Sequence, residues 1–410
     1  LLPPLTLSIT EADAFLRAFD AVLADVHGPA SKSWGVVADI AKATLLRHST
    51  DRVAPLRAAT PGAAGERRST PVDPALGDVC LVTGATGFIG GHLVEALRRE
   101  GYQVRCLVRP QSDCALLERL GVELAPGDLA DATSLQRAAQ GCRFVVHCGA
   151  MVSDWGTAEE ITRVNVSGTR QLLEAAAQAS VDRFIHISTT DVYGHPGDRA
   201  VAEDRAPHGF KNWYSETKLA AEREVRRVEH ERGLPVVILR PATVYGPRST
   251  DVIGELAKAL RGGHMLLVDR GRAVAGLCYV ENVVDAVLLS LRSEAALGQA
   301  FNLSDELTVT WRELASDLAR ELGCRPPRLS APYWLANALG VSLETGYRQA
   351  RRLTHLQLAP LLSRQAVQVL GKNQDFSTHK ARSVLGWSPR VDYASGLQAT
   401  VAWLKTSGYT

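Results

Sequence analysis

Tyr214 and Lys218 stand four residues apart in Tyr-Ser-Glu-Thr-Lys, within a stretch from Trp213 to Glu231 that reads as a helix. Residues at i and i+4 share one helix face. A phenol has a free pKa of about 10, too high for a base near neutrality, and a neighbouring ammonium favours the phenolate. A tyrosine so placed can pass a proton to or from a substrate oxygen while hydride moves at the adjoining carbon. Alone, the pair reads equally well as a solvated lysine beside a packed tyrosine.

An upstream motif changes that balance. Val79 to Gly90 reads VCLVTGATGFIG. A short β-branched run ends at Thr83, then Gly84, Gly87 and Gly90 lead into an amphipathic helix, with Thr86, Phe88 and Ile89 filling the turn. Glycines so spaced let the backbone turn tightly, approach a pyrophosphate and pack helix against strand. The N–H groups of the helix N-terminus then face the phosphates. The motif sits between a strand and a helix, where that mechanism requires it, so a dinucleotide site is expected rather than a ligand-free turn.

The elements that position these groups alternate. Strands are expected at Val104–Val108, Val122–Leu124, Phe144–His147, Phe184–Ser188 and Val236–Leu239, with a helix through Leu172 and Leu173. Repeated βα units imply an α/β fold, a doubly wound parallel sheet with helices on both faces. Ligands of such sheets bind beyond the carboxyl ends of the strands. The glycine turn, Thr189 and Thr243 all fall at such ends.

The chain has 410 residues, 46% hydrophobic and 22% charged, with a net charge of +2. It lacks a basic tract suited to nucleic acid and an apolar run long enough for a membrane span. The seven cysteines (Cys80, Cys106, Cys114, Cys142, Cys148, Cys278 and Cys324) include no CxxC pair. That pattern suits reduced thiols in a cytoplasmic protein, not a disulfide framework or a metal site. The sequons at Asn165 and Asn302 read as unused. LLPPLTL lacks signal-peptide features, and a first residue Leu1 in place of methionine predicts a longer parent chain.

Residues 1–52 read as a helical extension. Thr10 caps a first helix carrying Phe15, Phe19, Val22 and Val26, and a second covers Trp34 to Leu46. Residues 53–77 read as a flexible linker. The dinucleotide-binding domain is expected over 78–250 with returning segments after 270, and a mainly substrate-binding region over 251–410.

GATGFIG, a helix opening with NVSGT (Asn165 to Thr169), HISTTDVYG (His186 to Gly194), YSETK and LRPATVYGPR (Leu239 to Arg248) appear in this order. Together they resemble the extended short-chain dehydrogenase/reductase superfamily over roughly residues 78–408. The resemblance implies a Rossmann domain with a smaller C-terminal α/β substrate domain. It implies Thr189 as a third catalytic residue that hydrogen-bonds the substrate oxygen beside Tyr214, with Lys218 also on the nicotinamide ribose. Asp128 with Leu129, and Pro241, take the positions of further cofactor contacts. Asn165 reads as a helix-start and packing residue.

Two departures narrow the branch. Sugar-nucleotide 4,6-dehydratases carry an Asp-Glu pair after the threonine, where this chain has Thr190 and Asp191. Many sugar-nucleotide enzymes also place an arginine near the position of Ala275. The phrase Tyr279-Val-Glu-Asn-Val-Val-Asp285 is instead similar to the 3β-hydroxysteroid dehydrogenase and 2-alkyl-3-oxoalkanoate reductase branch, whose substrates are lipophilic ketones or alcohols. Residues 332–370, with Tyr333, Trp334, Leu335, Leu353 and Leu362, supply apolar lining or simply the core of the small domain, and Trp155 and Trp213 are candidates to flank the pocket.

A carboxylate about 20 positions after the glycines would accept from the ribose 2′-hydroxyl and favour NAD. The segment there is Cys106-Leu-Val-Arg109-Pro110, and an arginine can pair with a 2′-phosphate. NADP(H) is therefore favoured, with NAD(H) as the alternative. Residues 1–27 resemble the C-terminal tail of class III aminotransferases, which implies a fused or partner aminotransferase upstream. The expected activity is interconversion of a ketone and a secondary alcohol on a 3-oxoacyl or sterol-like substrate, in a chain that forms a homodimer. The alternatives are a nucleotide-sugar epimerase with tightly held NAD and a non-catalytic NADP(H)-sensing scaffold.

Overall fold

A computed structural model describes residues 78–152, 157–209, 212–263, 265–342 and 364–409. The expected N-terminal helices, the linker, Trp155, Leu353 and Leu362 lie outside these residues.

Ten strands build the part that positions the site: β1 (Val79–Thr83), β2 (Gln103–Val108), β3 (Glu123–Pro126), β4 (Phe144–His147), β5 (Arg183–Ile187), β6 (Val236–Pro241), β7 (Thr243–Tyr245), β8 (Leu266–Val268), β9 (Leu277–Tyr279) and β10 (Gln299–Leu303). Seven form one sheet in the order β10-β6-β5-β4-β1-β2-β3, and every pairing in it is parallel. The sequence patterns locate six of these strands to within two residues at most ends. They miss β10, whose Gln299–Leu303 run carries a glutamine and an asparagine that break the apolar signal. Thr243, expected at a strand end, instead opens β7, which pairs with β9.

Side chains alternate across the sheet with a period of two. Cys80 and Val82 face a layer containing Leu93, Val94 and Leu97 of the helix Phe88–Arg99 and Val283, Val284 and Val287 of the helix Val280–Arg292. Leu81 faces the opposite layer. There it joins Leu135, Leu172, Leu173, Val225 and Val228, from the helices Ala132–Ala139, Thr169–Gln178 and Trp213–Arg232. Each such aliphatic side chain stabilises the fold by about 1.5–3 kcal/mol on full burial. A third apolar cluster gathers Tyr245, Leu267, Tyr279, Trp311, Leu314, Leu397 and Leu404 around β7, β8 and β9.

From β1 the sheet runs through β2 and β3 on one side, and through β4, β5, β6 and β10 on the other. The direction of winding therefore reverses between β1 and β4. That reversal opens a crevice at the carboxyl ends of the two strands, the place where doubly wound sheets take their ligands. The glycine turn leaves β1 at this point.

One sequence expectation is corrected. Asn165 does not start a helix. The helix begins earlier, at a capping box in which Thr157 Oγ1 accepts from Glu160 N at 3.1 Å and the Glu160 carboxylate accepts from Thr157 N at 3.0 Å. Asn165 lies in the π-helical widening Arg163–Gly168 that joins Ala158–Thr162 to Thr169–Gln178. A widening of this kind leaves no mark on apolar periodicity and is common at functional sites.

Candidate active site

The turn after β1 is built so that only glycine fits twice. Gly84 has φ +69°, and a Cβ on it would lie 2.7 Å from the backbone N of Gly149, just past β4. A Cβ on Gly90 would lie 2.1 Å from the Gly84 carbonyl oxygen. Gly87 is different: it is exposed, and its nearest obstacle is the same carbonyl at 3.2 Å. The helix Phe88–Arg99 begins there with no side-chain cap and no acidic residue in its first turn. Its positive dipole end thus stays turned to the crevice, an arrangement that fits a pyrophosphate. Arg109 is exposed just beyond β2. Asp128 holds its own loop, accepting from Ala130 N at 2.8 Å. Leu129 packs against Gly168, where a Cβ would stand 2.8 Å from that of Leu129. Pro241 closes β6 opposite Leu303.

Tyr214 and Lys218 ride on the helix Trp213–Arg232. Asn212 caps it, its Oδ1 accepting from Ser215 N at 2.7 Å, a contact of about 1 kcal/mol. Gly233, at φ +67°, ends it. Ser215 Oγ donates to the Asp191 carbonyl at 2.7 Å. The helix start is thereby fastened to the turn Thr190–Tyr193 that leaves Thr189. Thr189 is buried, and its Oγ1 accepts from Asp191 N at 3.2 Å. A hydroxyl that accepts in this way keeps its own hydrogen to donate.

Lys218 is 4% exposed, and its Nζ donates to the Ile187 carbonyl at 2.6 Å. Two of its three hydrogens remain for other partners. Burial pushes its pKa down to about 8, against the opposing pull of the Glu222 carboxylate. Tyr214 is half-buried one turn before it on the same helix. Lys218, the end of β5 and the start of the Tyr214 helix therefore meet at the carboxyl edge of the sheet. Trp213 is half-buried at the helix start.

Two polar networks support this edge, and neither was read from the sequence. The first starts at the glycine turn. Thr83 Oγ1 lies 2.7 Å from His147 Nδ1, and His147 Nε2 lies 2.9 Å from Thr169 Oγ1. Thr169 spends its hydrogen on the Asn165 carbonyl at 2.7 Å. His147 must therefore carry its proton on Nε2 and accept from Thr83 at Nδ1. Burial, with Lys218 adding to it, lowers the His147 pKa to about 3, so the ring is neutral. Asn165 Nδ2 then donates to Thr217 Oγ1 at 3.1 Å, and Thr217 donates to the Trp213 carbonyl at 2.6 Å. An unbroken chain of hydrogen bonds runs from β1 to the Tyr214 helix. The available signal was a histidine inside an otherwise apolar strand.

The second network centres on Glu222. Arg240 Nε and Nη2 donate to its two oxygens at 2.9 and 2.6 Å. Ser188 Oγ donates to Glu222 Oε1 at 2.5 Å. Arg240 Nη1 reaches Tyr193 OH at 2.7 Å, and that hydroxyl donates to Asn302 Oδ1 at 2.9 Å. Position 190 is a threonine and position 275 an alanine, both buried, so neither a carboxylate nor a guanidinium occupies those two positions.

The fold and this constellation define an extended short-chain dehydrogenase/reductase. The NAD dependent epimerase/dehydratase family model matches residues 80–304, more than half of the chain, and the chain belongs to that family. It is 31% identical to an uncharacterised protein, YbjS, of Escherichia coli K12, over 80% of this chain and 98% of that one. It is also 31% identical to a 4-hydroxy-2-methyl-3-oxo-4-farnesyl-3,4-dihydroquinoline-1-oxide ketoreductase of Stigmatella aurantiaca (78% and 94% covered). The sterol-4-alpha-carboxylate 3-dehydrogenase, decarboxylating, of Mus musculus is 28% identical (78% and 90% covered). Among solved structures, gox2253 superposes with a TM-score of 0.68 at 28% identity, covering 81% of this chain and 99% of that one. A dTDP-glucose 4,6-dehydratase of Streptomyces venezuelae with NAD and TYD bound superposes with a TM-score of 0.66 at 25% identity (80% and 97% covered). Among the described residues no helix is long and apolar enough to cross a membrane, and no His/Cys/Asp/Glu group is placed to hold a metal. All seven cysteines are free.

Proposed function

We propose that this chain is an NAD(P)(H)-dependent oxidoreductase that interconverts a ketone and a secondary alcohol on a lipophilic substrate, 3-oxoacyl or sterol-like. The observation that carries the reading is the convergence of Lys218, the Tyr214 helix and Thr189 at the end of β5, two strands from the one that the glycine turn leaves. The ketoreductase and sterol dehydrogenase relatives support the substrate class. So does the absence of a carboxylate at Thr190 and of an arginine at Ala275, which argues against sugar-nucleotide dehydration or epimerisation.

Bound nicotinamide supplies the hydride for reduction and takes it back in oxidation. Tyr214 gives its phenolic proton to the ketone oxygen as the alcohol forms, and recovers one in the reverse direction. Thr189 donates its remaining hydrogen to the same oxygen and fixes its position. The Lys218 ammonium favours the Tyr214 phenolate left behind and offers a hydrogen to the nicotinamide ribose. Gly84, Thr86, Gly87, Phe88, Ile89 and Gly90 hold the pyrophosphate, with Asp128, Leu129 and Pro241 flanking the rest of the dinucleotide. Arg109 selects NADP(H) over NAD(H). The chain acts in the cytoplasm as a homodimer, as the reductase part of a larger biosynthetic enzyme with an aminotransferase upstream.

The test is a panel of 3-oxoacyl compounds, 3-ketosteroids and UDP-sugars, incubated with NADPH or NADH while loss of reduced nicotinamide is followed. Turnover is expected on a lipophilic ketone. Tyr214→Phe should lower kcat by about 10²–10⁴-fold while leaving cofactor binding intact. Unchanged turnover in that variant would remove Tyr214 from the chemistry, and activity confined to UDP-sugars would reinstate the epimerase.

A further inference from the structure

Beneath the carboxyl edge of the sheet lies an ion pair that the chemistry above does not use. Glu222 is 5% and Arg240 6% exposed, and the two meet through a bidentate contact. A buried ion pair of this kind is no reliable source of stability, because desolvating two charges costs about as much as their attraction returns. Its position points to another use. Glu222 sits one helical turn beyond Lys218, on the helix that also carries Tyr214. It accepts from Ser188, the residue immediately before Thr189. Its clamp, Arg240, comes from β6, and Arg240 is in turn fixed by Tyr193 and, through it, by Asn302 of β10. One carboxylate thus joins the Tyr–Lys helix, the Thr189 strand end and two further strands.

We propose that Glu222 is a positioning residue of this site: clamped by Arg240, it sets the electrostatic surroundings of Lys218 and holds Ser188 and Thr189 in register with the catalytic helix. The proposal rests on the functional reading above for its meaning in catalysis. The titratable groups around Lys218 are Glu222 on its own helix and Cys148 just past β4, with His147 at the end of β4 and His186 on β5, whose own pKa values the Lys218 charge lowers. The two histidines are buried and held neutral, their pKa values lowered chiefly by burial. The Cys148 thiol is pushed up to about 12 by burial and is also neutral. Glu222 is therefore the charged neighbour that offsets the cost of burying the Lys218 ammonium. The second carboxylate contact, from Ser188 Oγ, carries the same fixed point to the strand end.

The chain holds eight lysines, few enough for Lys218 to be followed by NMR of the side-chain nitrogens in the full-length protein, without substrate. In Glu222→Gln the titration midpoint of Lys218 is expected to fall by about 1 unit or more, and in the charge-conserving Glu222→Asp and Arg240→Lys to stay within about 0.3 unit of wild type. Glu222→Gln leaves an unpaired buried guanidinium, so Glu222→Gln/Arg240→Gln is measured beside it and should show a smaller fall in the same direction. In kcat/KM against pH, the high-pH limb should move down by the same amount, with Glu222→Asp restoring it. An unmoved Lys218 midpoint in the glutamine variants, whatever their melting temperature, would reduce Glu222 to a structural residue and overturn the proposal. The midpoint is read without turnover. A chain inactive on every ketone would thus sink the functional reading while this one is still decided.

Discussion

Lys218 Nζ donates to the carbonyl of Ile187 at 2.6 Å, which ties the helix bearing Tyr214 to the strand end two residues before Thr189. The bond explains how an ammonium is retained at 4% exposure, and it fixes that charge one helical turn beyond Tyr214 on the same helix face.

From this follows a pH dependence. Burial lowers the Lys218 pKa from 10.5 to about 8. Below that value the ammonium is present, and above it the proton is lost, so turnover should decline as pH rises through about 8. The stability effect has the opposite sense. Between about 8 and 10.5 the unfolded chain binds the extra proton, so folding gains stability as pH rises through that window. Relative to Lys218→Met, the wild type should gain roughly 2–4 kcal/mol between pH 7 and pH 10.5. Urea unfolding of both proteins at the two pH values measures the difference, and parallel pH curves would contradict a depressed Lys218.

His147 governs the acid side. Its ring is neutral in the fold, with a pKa lowered by burial from 6.5 to about 3. Between these values the unfolded chain holds a proton that the folded chain does not, so stability falls with falling pH. His147 alone should cost about 1.4 kcal/mol per pH unit below 6.5. His92, lowered to about 4 chiefly by burial, and His186 act in the same direction. His147→Gln should flatten the acid limb by one proton between pH 6.5 and pH 5 in urea titrations. It should also slow turnover, because the hydrogen-bond chain from Thr83 to the Tyr214 helix is cut at its centre. Identical acid limbs would mean that the ring titrates freely in the fold.

The parts of this site that were legible in the sequence are those whose chemistry is local. Tyr214 and Lys218 are one helical turn apart, and Gly84, Gly87 and Gly90 sit in a single turn, so both are visible as local patterns, and the glycine turn upstream is what gives the Tyr–Lys pair its meaning. The supporting network was not legible, because its members are brought together only by the sheet. Ser188 and Glu222 are 34 positions apart, and Tyr193 and Asn302 are 109 apart. Glu222 did carry a faint signal, lying four residues past Lys218, but charged residues at that spacing are common on solvated helix faces. The widening at Asn165 was hidden for a different reason: it shifts the helix register without altering which residues are apolar. Among the six strands that were found, β1 and β4 carry nearly unbroken apolar runs, as parallel strands covered on both faces do. The missed strand β10 mixes Gln299 and Asn302 into its run, and Asn302 is polar because Tyr193 and Val201 use it.

Two glycines of the same turn should separate fold from cofactor binding. A Cβ at Gly90 would stand 2.1 Å from the Gly84 carbonyl, and that neighbour is backbone, so Gly90→Ala must displace the turn. It should lower stability by roughly 3 kcal/mol or more. At Gly87 the same atom meets only the carbonyl at 3.2 Å, and the backbone is at φ −86°, open to any residue. Gly87→Ala should melt within about 2 °C of wild type yet bind NADPH about tenfold or more weakly, since its methyl would stand between the pyrophosphate and the helix N-terminus. Calorimetry with fluorescence titration of NADPH reads both quantities. Loss of folding in Gly87→Ala together with retained NADPH affinity in Gly90→Ala would invert the assignment.

On the proposed reading, cofactor choice turns on Arg109. The residue is exposed immediately after β2, and the strand end Cys106-Leu107-Val108-Arg109-Pro110 offers no carboxylate to accept from a ribose 2′-hydroxyl. The nearest acid, Asp113, is occupied with its own loop, its Oδ1 accepting from Ala115 N at 3.0 Å. A guanidinium here would meet a bound 2′-phosphate through a charge-assisted, bidentate contact worth about 1.5–3 kcal/mol. Arg109→Ala should therefore raise the KM for NADPH by roughly ten- to a hundredfold and leave that for NADH nearly unchanged, because NADH carries no 2′-phosphate to lose. Arg109→Asp should go further and invert the preference, since the carboxylate both repels the phosphate and accepts from the hydroxyl. The ratio of kcat/KM for the two cofactors in wild type and both variants decides the matter. A wild-type ratio that favours NADH, or one that neither substitution moves, would remove Arg109 from cofactor selection and leave it as a surface charge.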